Sequence, residues 1–517
     1  MALSKRGNFH WLIGIFAVIK ITLNLFAISH FGFHRDELLH LVLADHLDWG
    51  YKEVPPLIAV LAYISIHVFG TSVFAARILT TLCAGLIIWI TGLIVVELGG
   101  RKFAITIACI AMLFAPAFVA SGYLFQPVVF DQFWWVLAVW LLVKYVNTQQ
   151  PKYLYWLGAA VGFGMLTKYT MAFFTFALLL GILISKQRRI LFNKHVFIAF
   201  LIATLIFLPN AIWQYLHHFP FVTHMHTLQK EQLDYNNRGD FIKQQLLVNG
   251  TALFVWIAGF IFLLFSFRLR KFQFLAFAYM LIFLFLVLMH GKQYYLFGAY
   301  PMLFAAGGIA FERLLKSWRP ALRIVVVILL TVPNLFLFPV LLPVLPINQT
   351  LAWFRFTDKL HVFDFAVTWE DHKKHGTTQD YGDMFGWDEL SQKVAGAYHQ
   401  LTPQQQKQTM IFASNYGQAG AIHHFAKQYN MPDVVSLNSS FALWAPDHPQ
   451  FKYMIYVDTN YDPDIKDLTP MVSQVREIGK ITAPLAVEYG TTIYLFTDPK
   501  PVLFDRYNKE LARKNME

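Results

Sequence analysis

The chain has 517 residues, of which 56% are hydrophobic and only 14% charged, with a mean hydropathy of +0.46. A soluble domain is nearer a quarter charged, so these proportions exclude an ordinary soluble enzyme and point to a polytopic membrane protein. The formal charge of +11 does not indicate nucleic-acid binding, because most Lys and Arg stand in short loops between apolar runs, which is the pattern of membrane topology.

Apolar runs over 9–31, 72–97, 103–121, 127–146, 153–167, 170–185, 196–213, 246–267, 272–289, 295–312 and 322–345 read as membrane spans. The two runs within 153–185 are short. The first run follows Lys5 and Arg6, exceeds a signal-peptide core and lacks a small-residue cleavage site, so it reads as a retained span. An odd number of spans, about eleven, puts the termini on opposite sides of the bilayer. With a cytoplasmic N-terminus, the inside loops hold roughly twice as many Lys and Arg as the outside loops, including Arg101, Lys102, Arg188, Arg189, Arg268, Arg270, Arg313 and Arg319. That orientation places 32–71, 214–245 and everything after 348 outside the cytoplasm. Cys83 and Cys109 sit inside apolar runs and read as small buried side chains.

From about Gln349 polar residues become frequent and no further run could span. The segments 409–413, 453–457 and 492–496 read as strands, 417–429 as a helix, and the charged residues from Asp505 as a helical or frayed tail. The expected architecture is therefore a polytopic α-helical membrane domain over 1–348, with a polar first outer loop at 32–71, and a small extracytoplasmic α/β domain over 349–517.

The polar island at 34–56 carries Asp36, Glu37, Asp45 and Asp48 together with His34, His46 and the Pro55-Pro56 pair. Carboxylates at a membrane boundary cost little if they face water and much if they face lipid. Leu38, Leu39, Leu41, Val42 and Leu43 suit a helix lying along the interface, and the two prolines suit a rigid exit. Asp131, inside the run 127–146, calls for a wet cavity or a partner, or caps the helix start. Lys168 ends a short span, where it either snorkels or serves a site. His290-Gly291-Lys292 is a hydrophilic break that reads as a connecting loop or a phosphate contact. His217, His218, His224 and His226 cluster in the 214–245 loop, and with Glu53 or Asp36 could ligate a divalent cation, although His-x-His spacing is not diagnostic. No other cofactor is indicated. Asn415-Tyr416-Gly417-Gln418-Ala419-Gly420 reads as a tight strand-to-helix turn or as a phosphate cradle at a helix N-terminus.

Several stretches in order resemble the GT-C superfamily. They are the acidic pair after the first span, Trp49-Gly50-Tyr51, Pro55-Pro56, and Phe69-Gly70 with Arg77 at the second span. Gln126-Pro127-Val128-Val129-Phe130-Asp131, Gly164-Met165-Leu166-Thr167-Lys168-Tyr169-Thr170, Tyr294-Tyr295-Leu296-Phe297-Gly298-Ala299-Tyr300-Pro301 and 415–422 follow. The resemblance is closer to the bacterial branch related to dolichyl-phosphate-mannose protein mannosyltransferases and to the lipid A aminoarabinose transferase. It implies an inverting glycosyltransferase in the bacterial cytoplasmic membrane, using a polyprenyl-phosphate-linked monosaccharide donor and a lipid, glycan or protein acceptor. On that reading 32–71 is the catalytic loop. Asp36 is the candidate base, with Glu37 and Asp131 as further catalytic carboxylates. Arg35, Tyr51, Glu53, Lys168, Lys292, Tyr294 and Tyr295 are the candidates for gripping the donor and its departing phosphate. In the aminoarabinose branch a Glu-Lys pair precedes Pro-Pro. Here Val54 stands in place of the Lys, so that phosphate contact does not carry over, and Lys52 is the nearest substitute. A lipid or solute transporter without transferase chemistry is the alternative. Its usual repeated halves and broken midplane helices are not visible in the sequence. A membrane anchor for a binding domain would leave Asp131 and Lys168 unexplained.

Overall fold

The computed structural model describes residues 9–231, 233, 237–318, 320–361, 364–459 and 464–516; Lys5, Arg6 and Arg319 of the charge pattern lie outside them. The chain begins with α1 (His10–Ala27), α2 (Arg35–Val42), α3 (Leu57–Phe69), α4 (Val73–Glu97), α5 (Lys102–Phe114) and α6 (Pro116–Ala120). There follow α7 (Pro127–Thr148), α8 (Lys152–Thr167), α9 (Thr170–Ile184), α10 (Lys194–Leu216), α11 (Pro220–Glu231) and α12 (Arg238–Leu247). The apolar part closes with α13 (Leu253–Phe265), α14 (Phe274–Leu288), α15 (Tyr300–Leu314) and α16 (Pro320–Leu335).

Among the described residues, five helices are long and apolar enough to cross a membrane: α1, α4, α7, α10 and the stretch Gln293–Leu314. A sixth is α12 with Gly250–Phe265 if that pair, bent by 99°, is one span. The expected runs at 103–121, 170–185, 272–289 and 322–345 give shorter apolar helices; α5, with 13 residues, reaches only about 20 Å against a hydrocarbon core of about 30 Å. The apolar helix α3 was not among the expected spans. It is 13 residues long and is cut from α4 by Gly70, whose φ of 93° suits a residue without a Cβ.

Small residues let these helices approach closely, as expected where lipid leaves little hydrophobic drive between them. A Cβ added to Gly259 of α13 would lie 1.9 Å from the Leu303 carbonyl oxygen, and one on Gly307 of α15 would lie 2.0 Å from that of Val255. The two backbones therefore touch through facing glycines.

The remainder contains a five-stranded sheet built from β1 (Thr409–Ala413), β2 (Val434–Val435), β3 (Tyr453–Asp458), β4 (Val472–Lys480) and β5 (Thr492–Pro499). The strand order is β2-β1-β3-β5-β4, with β1 parallel to β2 and β3, and β5 antiparallel to β3 and β4. The three expected strands are β1, β3 and β5, and the expected helix runs Tyr416–Ala426. The tail forms a helix over Pro501–Met516. β4 was not anticipated, because its largely exposed face, Val-Ser-Gln-Val-Arg-Glu, carries little apolar signal.

Sheet and bundle share one apolar core that contains Ile13, Leu38, Trp135 and Leu303 together with Trp387, Ile411, Ala419 and Ile455. The join is α2 against the 416–426 helix. A Cβ on Gly420 would lie 2.9 Å from the Leu38 Cβ and 3.0 Å from its carbonyl carbon, and one on Gly417 would lie 3.3 Å from the Arg35 Cβ. These glycines seat the two helices together at the strand-to-helix turn. Leu38, Leu39, Leu41, Val42 and Leu43 are all buried, so the apolar residues of α2 are enclosed between the bundle and the 416–426 helix. Gly420→Val should destabilise the protein by about 1–3 kcal/mol through overpacking, read as a lower melting temperature in detergent. An unchanged melting temperature would refute the close seam.

Candidate active site

His34 starts α2. Its extended backbone (ψ 147°) is that of a cap, and its ring accepts the Asp36 N–H at 3.2 Å while its own N–H donates to Glu37 Oε2 at 2.8 Å. Two carboxylates in the first turn also suit the positive end of the helix. Asp36 and Glu37 are adjacent in sequence but about 100° apart around the helix, and this separates their roles.

Glu37 points inward and is fully engaged. It receives the Arg77 guanidinium in a bidentate pair (Nε to Oε1 2.8 Å, Nη2 to Oε2 2.6 Å) and the Phe125 N–H at 2.8 Å. Neither side chain of the pair is exposed. Arg77 also donates to the carbonyls of Ile28 and Gly32 at 2.6 and 2.8 Å. Glu37 thus ties the end of α1, α2, α4 and the turn before α7 together. The structure gives Glu37 a structural part in place of the expected catalytic one, because its two oxygens already accept four hydrogen bonds from Arg77, Phe125 and His34.

Asp36 points the other way, with its side chain 36% accessible. Oδ1 accepts the Tyr416 hydroxyl at 2.8 Å and Oδ2 the Gln126 amide at 3.1 Å, leaving one lone pair on each oxygen for a third partner. Burial pushes this carboxyl up, but the imidazoles of His34 and His40, the Arg35 guanidinium and the Tyr416 hydrogen bond outweigh it and hold the group below the ordinary Asp range. Asp383, from the polar region, receives the Arg35 N–H on its backbone carbonyl at 3.1 Å and lies 3.8 Å from both Arg35 Nη1 and His34 Nε2. Burial, opposed by His34 and Arg35 and reinforced by Asp36 and Asp380, pushes Asp383 up to about 7. Two neighbouring carboxyls driven apart in this way mark Asp36 as the ionised one.

A cationic lobe adjoins Asp36. Lys292 and the Tyr294 phenol both lie in the field of Asp36. Lys168 Nζ stands over the rings of Tyr294 and Tyr295, 4.6 and 4.8 Å from their centroids, and Asp131 and Lys292 are its charged neighbours. Asp131 is held by Trp135 Nε1 at 3.0 Å and the Thr170 hydroxyl at 2.7 Å. It is 7% exposed, its two oxygens accept from Trp135 and Thr170, and Lys168 is a charged neighbour. Lys168 comes together with Lys292, Tyr294 and Tyr295 from two separate places in the chain, 168 and 292–295.

Arg35 does not join them. Its guanidinium lies 4.9 Å over the Tyr416 ring, on the Asp383 side. Tyr51 is 1% exposed; its hydroxyl accepts the Asp48 N–H at 3.0 Å and donates to the His46 carbonyl at 2.8 Å. It pins the loop and does not face the lobe. Trp213 from α10 grips the same loop, donating to Asp48 Oδ2 at 2.8 Å, which explains Trp49-Gly50-Tyr51 as a docking motif. Glu53 accepts from the Ser440 hydroxyl. Lys52 is 6% exposed and donates from Nζ to the Lys514 carbonyl, so it does not replace the phosphate-binding Lys that Val54 displaces. Glu53, His224 and His226 do not form the expected metal site: among the described residues no three His, Cys, Asp or Glu side chains converge to hold an ion. His217 instead stacks on Trp213 with centroids 4.0 Å apart.

Sequence reasoning missed Asp383, for which a lone Asp in a polar stretch gives no signal, and His40. The His40 ring hydrogen-bonds the Phe125 carbonyl at 3.2 Å and lies in the fields of Asp36 and Glu53. Its place four residues after Asp36, on the same helical face, was the available clue.

Comparison with known proteins places this geometry. Residues 53–213 match the family model described as dolichyl-phosphate-mannose-protein mannosyltransferase, a match that begins beyond Asp36. The solved structure of ArnT from Cupriavidus metallidurans bound to undecaprenyl phosphate superposes with a TM-score of 0.63 at 12% identity, covering 95% of this chain and 98% of that one. The apo ArnT structure from the same organism gives 0.62 at 12% identity, covering 94% and 97%. No curated protein sequence matches the chain. The overall architecture is thus the GT-C fold that the sequence resemblance implied.

Proposed function

We propose that this chain, which has the GT-C fold, is an inverting glycosyltransferase. It moves a monosaccharide from a polyprenyl-phosphate-linked donor to a hydroxyl or phosphate of a cell-envelope lipid, glycan or protein. The reading places the reaction on the outer side of the bacterial cytoplasmic membrane, with the N-terminus inside and the α/β region outside, following the excess of Lys and Arg in the inner loops. The carrying observation is the juxtaposition of a partly accessible, ionised Asp36 with the Lys168–Lys292–Tyr294–Tyr295 lobe. The family description of residues 53–213 and the undecaprenyl phosphate held by ArnT support it.

The chemistry follows from that arrangement. Asp36 takes the proton of an acceptor hydroxyl as its oxygen bonds to the anomeric carbon from one face. The bond from that carbon to the donor phosphate oxygen breaks on the opposite face, and the electron pair leaves with the lipid phosphate. A phosphate departs without a strong acid, so cations and phenol hydroxyls are sufficient there.

The test uses purified protein in detergent with a panel of undecaprenyl-phosphate-linked hexose, pentose and aminopentose donors, following release of undecaprenyl phosphate. At least one donor should turn over, and Lys168→Ala and Lys292→Ala should each weaken undecaprenyl phosphate binding by roughly tenfold, as for loss of one charge-assisted contact. Failure of every donor, together with unchanged binding in both variants, would reject the proposal.

A further inference from the structure

The GT-C bundle alone does not complete the surroundings of Asp36. One of its two hydrogen-bond donors comes from the sheet region, 380 residues away: the Tyr416 hydroxyl on Oδ1 at 2.8 Å. Tyr416 opens the helix that follows β1. Asn415 caps this helix, its side chain accepting the Gln418 N–H at 2.9 Å and donating to Glu488 Oε1 at 3.1 Å. The ring is fixed on one face by Arg35, which is in turn held beside Asp383. Gly417 and Gly420 seat the helix closely against α2, with Gly420 against the Leu38 backbone, which holds the phenol at Asp36. A helix that begins at the end of a buried parallel strand is a rigid support, and such strand ends are where α/β sheets present functional groups.

We infer that Tyr416 is a positioning residue for the transferase reaction, and that the α/β region is a working part of the catalytic centre. The inference rests on Asp36 being the base. Tyr416 acts in two ways through that residue. Its hydrogen bond stabilises the ionised carboxylate, so the base stays ready to accept a proton. It also fixes the Asp36 rotamer, with Gln126 on the other oxygen, so that the remaining lone pairs face the acceptor. The groups facing Asp36 are His34, Arg35 and His40 from α2 and its cap, Gln126 from the turn before α7, Lys292 and Tyr294 from the cationic lobe, and Asp380 and Asp383 from the polar region. Of the two groups that donate to Asp36, Tyr416 and Gln126, Tyr416 can be trimmed by a single oxygen with its ring left in place against Arg35.

Tyr416→Phe in the full chain tests this. With the donor that turns over best in the panel above, kcat/KM should fall roughly tenfold or more, as for loss of a hydrogen bond to a charged group. The acidic limb of its pH profile should move up by about one unit, because the ionised carboxylate loses a donor. In the Asp36→Asn background the same change should have no further effect on residual activity, since no base would be left for Tyr416 to position. A fall in activity with an unmoved acidic limb, or an additive loss in the double variant, would mean that Tyr416 is only packing, and the inference would be wrong. Native kinetics in Tyr416→Phe beside an inactive Asp36→Asn would overturn it while leaving Asp36 as the base. Full activity in Asp36→Asn would remove the base reading itself.

Discussion

On the proposed mechanism, Asp36→Asn should lower the rate of sugar transfer by roughly 10²–10⁴-fold, the usual contribution of a general base, while the protein inserts and melts as the native chain does. The substitution is nearly isosteric. Asn can still accept the Tyr416 hydroxyl on its carbonyl oxygen, so the seam between α2 and the 416–426 helix survives. What it loses is the ability to take a proton. Binding of undecaprenyl phosphate should persist, because the cationic lobe is untouched. Release of undecaprenyl phosphate from the donor panel measures the first effect and lipid binding the second. Retained turnover would show that Asp36 is not the base.

Arg77→Met produces the largest loss of stability, roughly 3–5 kcal/mol, as for breaking a buried ion pair from one side. Glu37 would keep its charge with 0% side-chain exposure, and the Ile28 and Gly32 carbonyls would lose their donor. The second substitution Glu37→Gln should recover part of the loss, since it removes the stranded charge and keeps an acceptor for the Phe125 N–H. Melting temperature and the yield of monodisperse protein in detergent read both steps. A single variant that melts with the native chain would refute the staple role of the pair. The contrast with Asp36→Asn is the useful part: neighbouring carboxylates of like chemistry should separate into one that controls rate and one that controls folding.

That separation was not legible in the residues themselves. The polar island at 34–56 stood out because lipid tolerates few charges, and the solvent imposes that rule on any membrane chain. The same rule made the long apolar runs visible and the strands of the α/β region recognisable by their short, bounded pattern. It could not tell Asp36 from Glu37, nor show that Tyr51 and Lys52 are tied to the loop and the tail while Lys168 stands over Tyr294 and Tyr295. Those distinctions depend on which way a side chain points and on what lies opposite. Short helices such as α3 escaped notice because 13 residues fall below the length at which an apolar run reads as a span.

By itself the sequence determined that this is a helical membrane protein with a polar α/β region, and it singled out the polar island at 34–56. Composition and periodicity record solvent preference, and solvent preference is local. The tertiary structure alone decided which groups meet. It brought Tyr416 to Asp36, Arg77 to Glu37, and Lys168 to Tyr294 and Tyr295 across long separations in the chain. Those meetings follow from facing glycines, buried ion pairs and helix rotations, which no single stretch of residues contains.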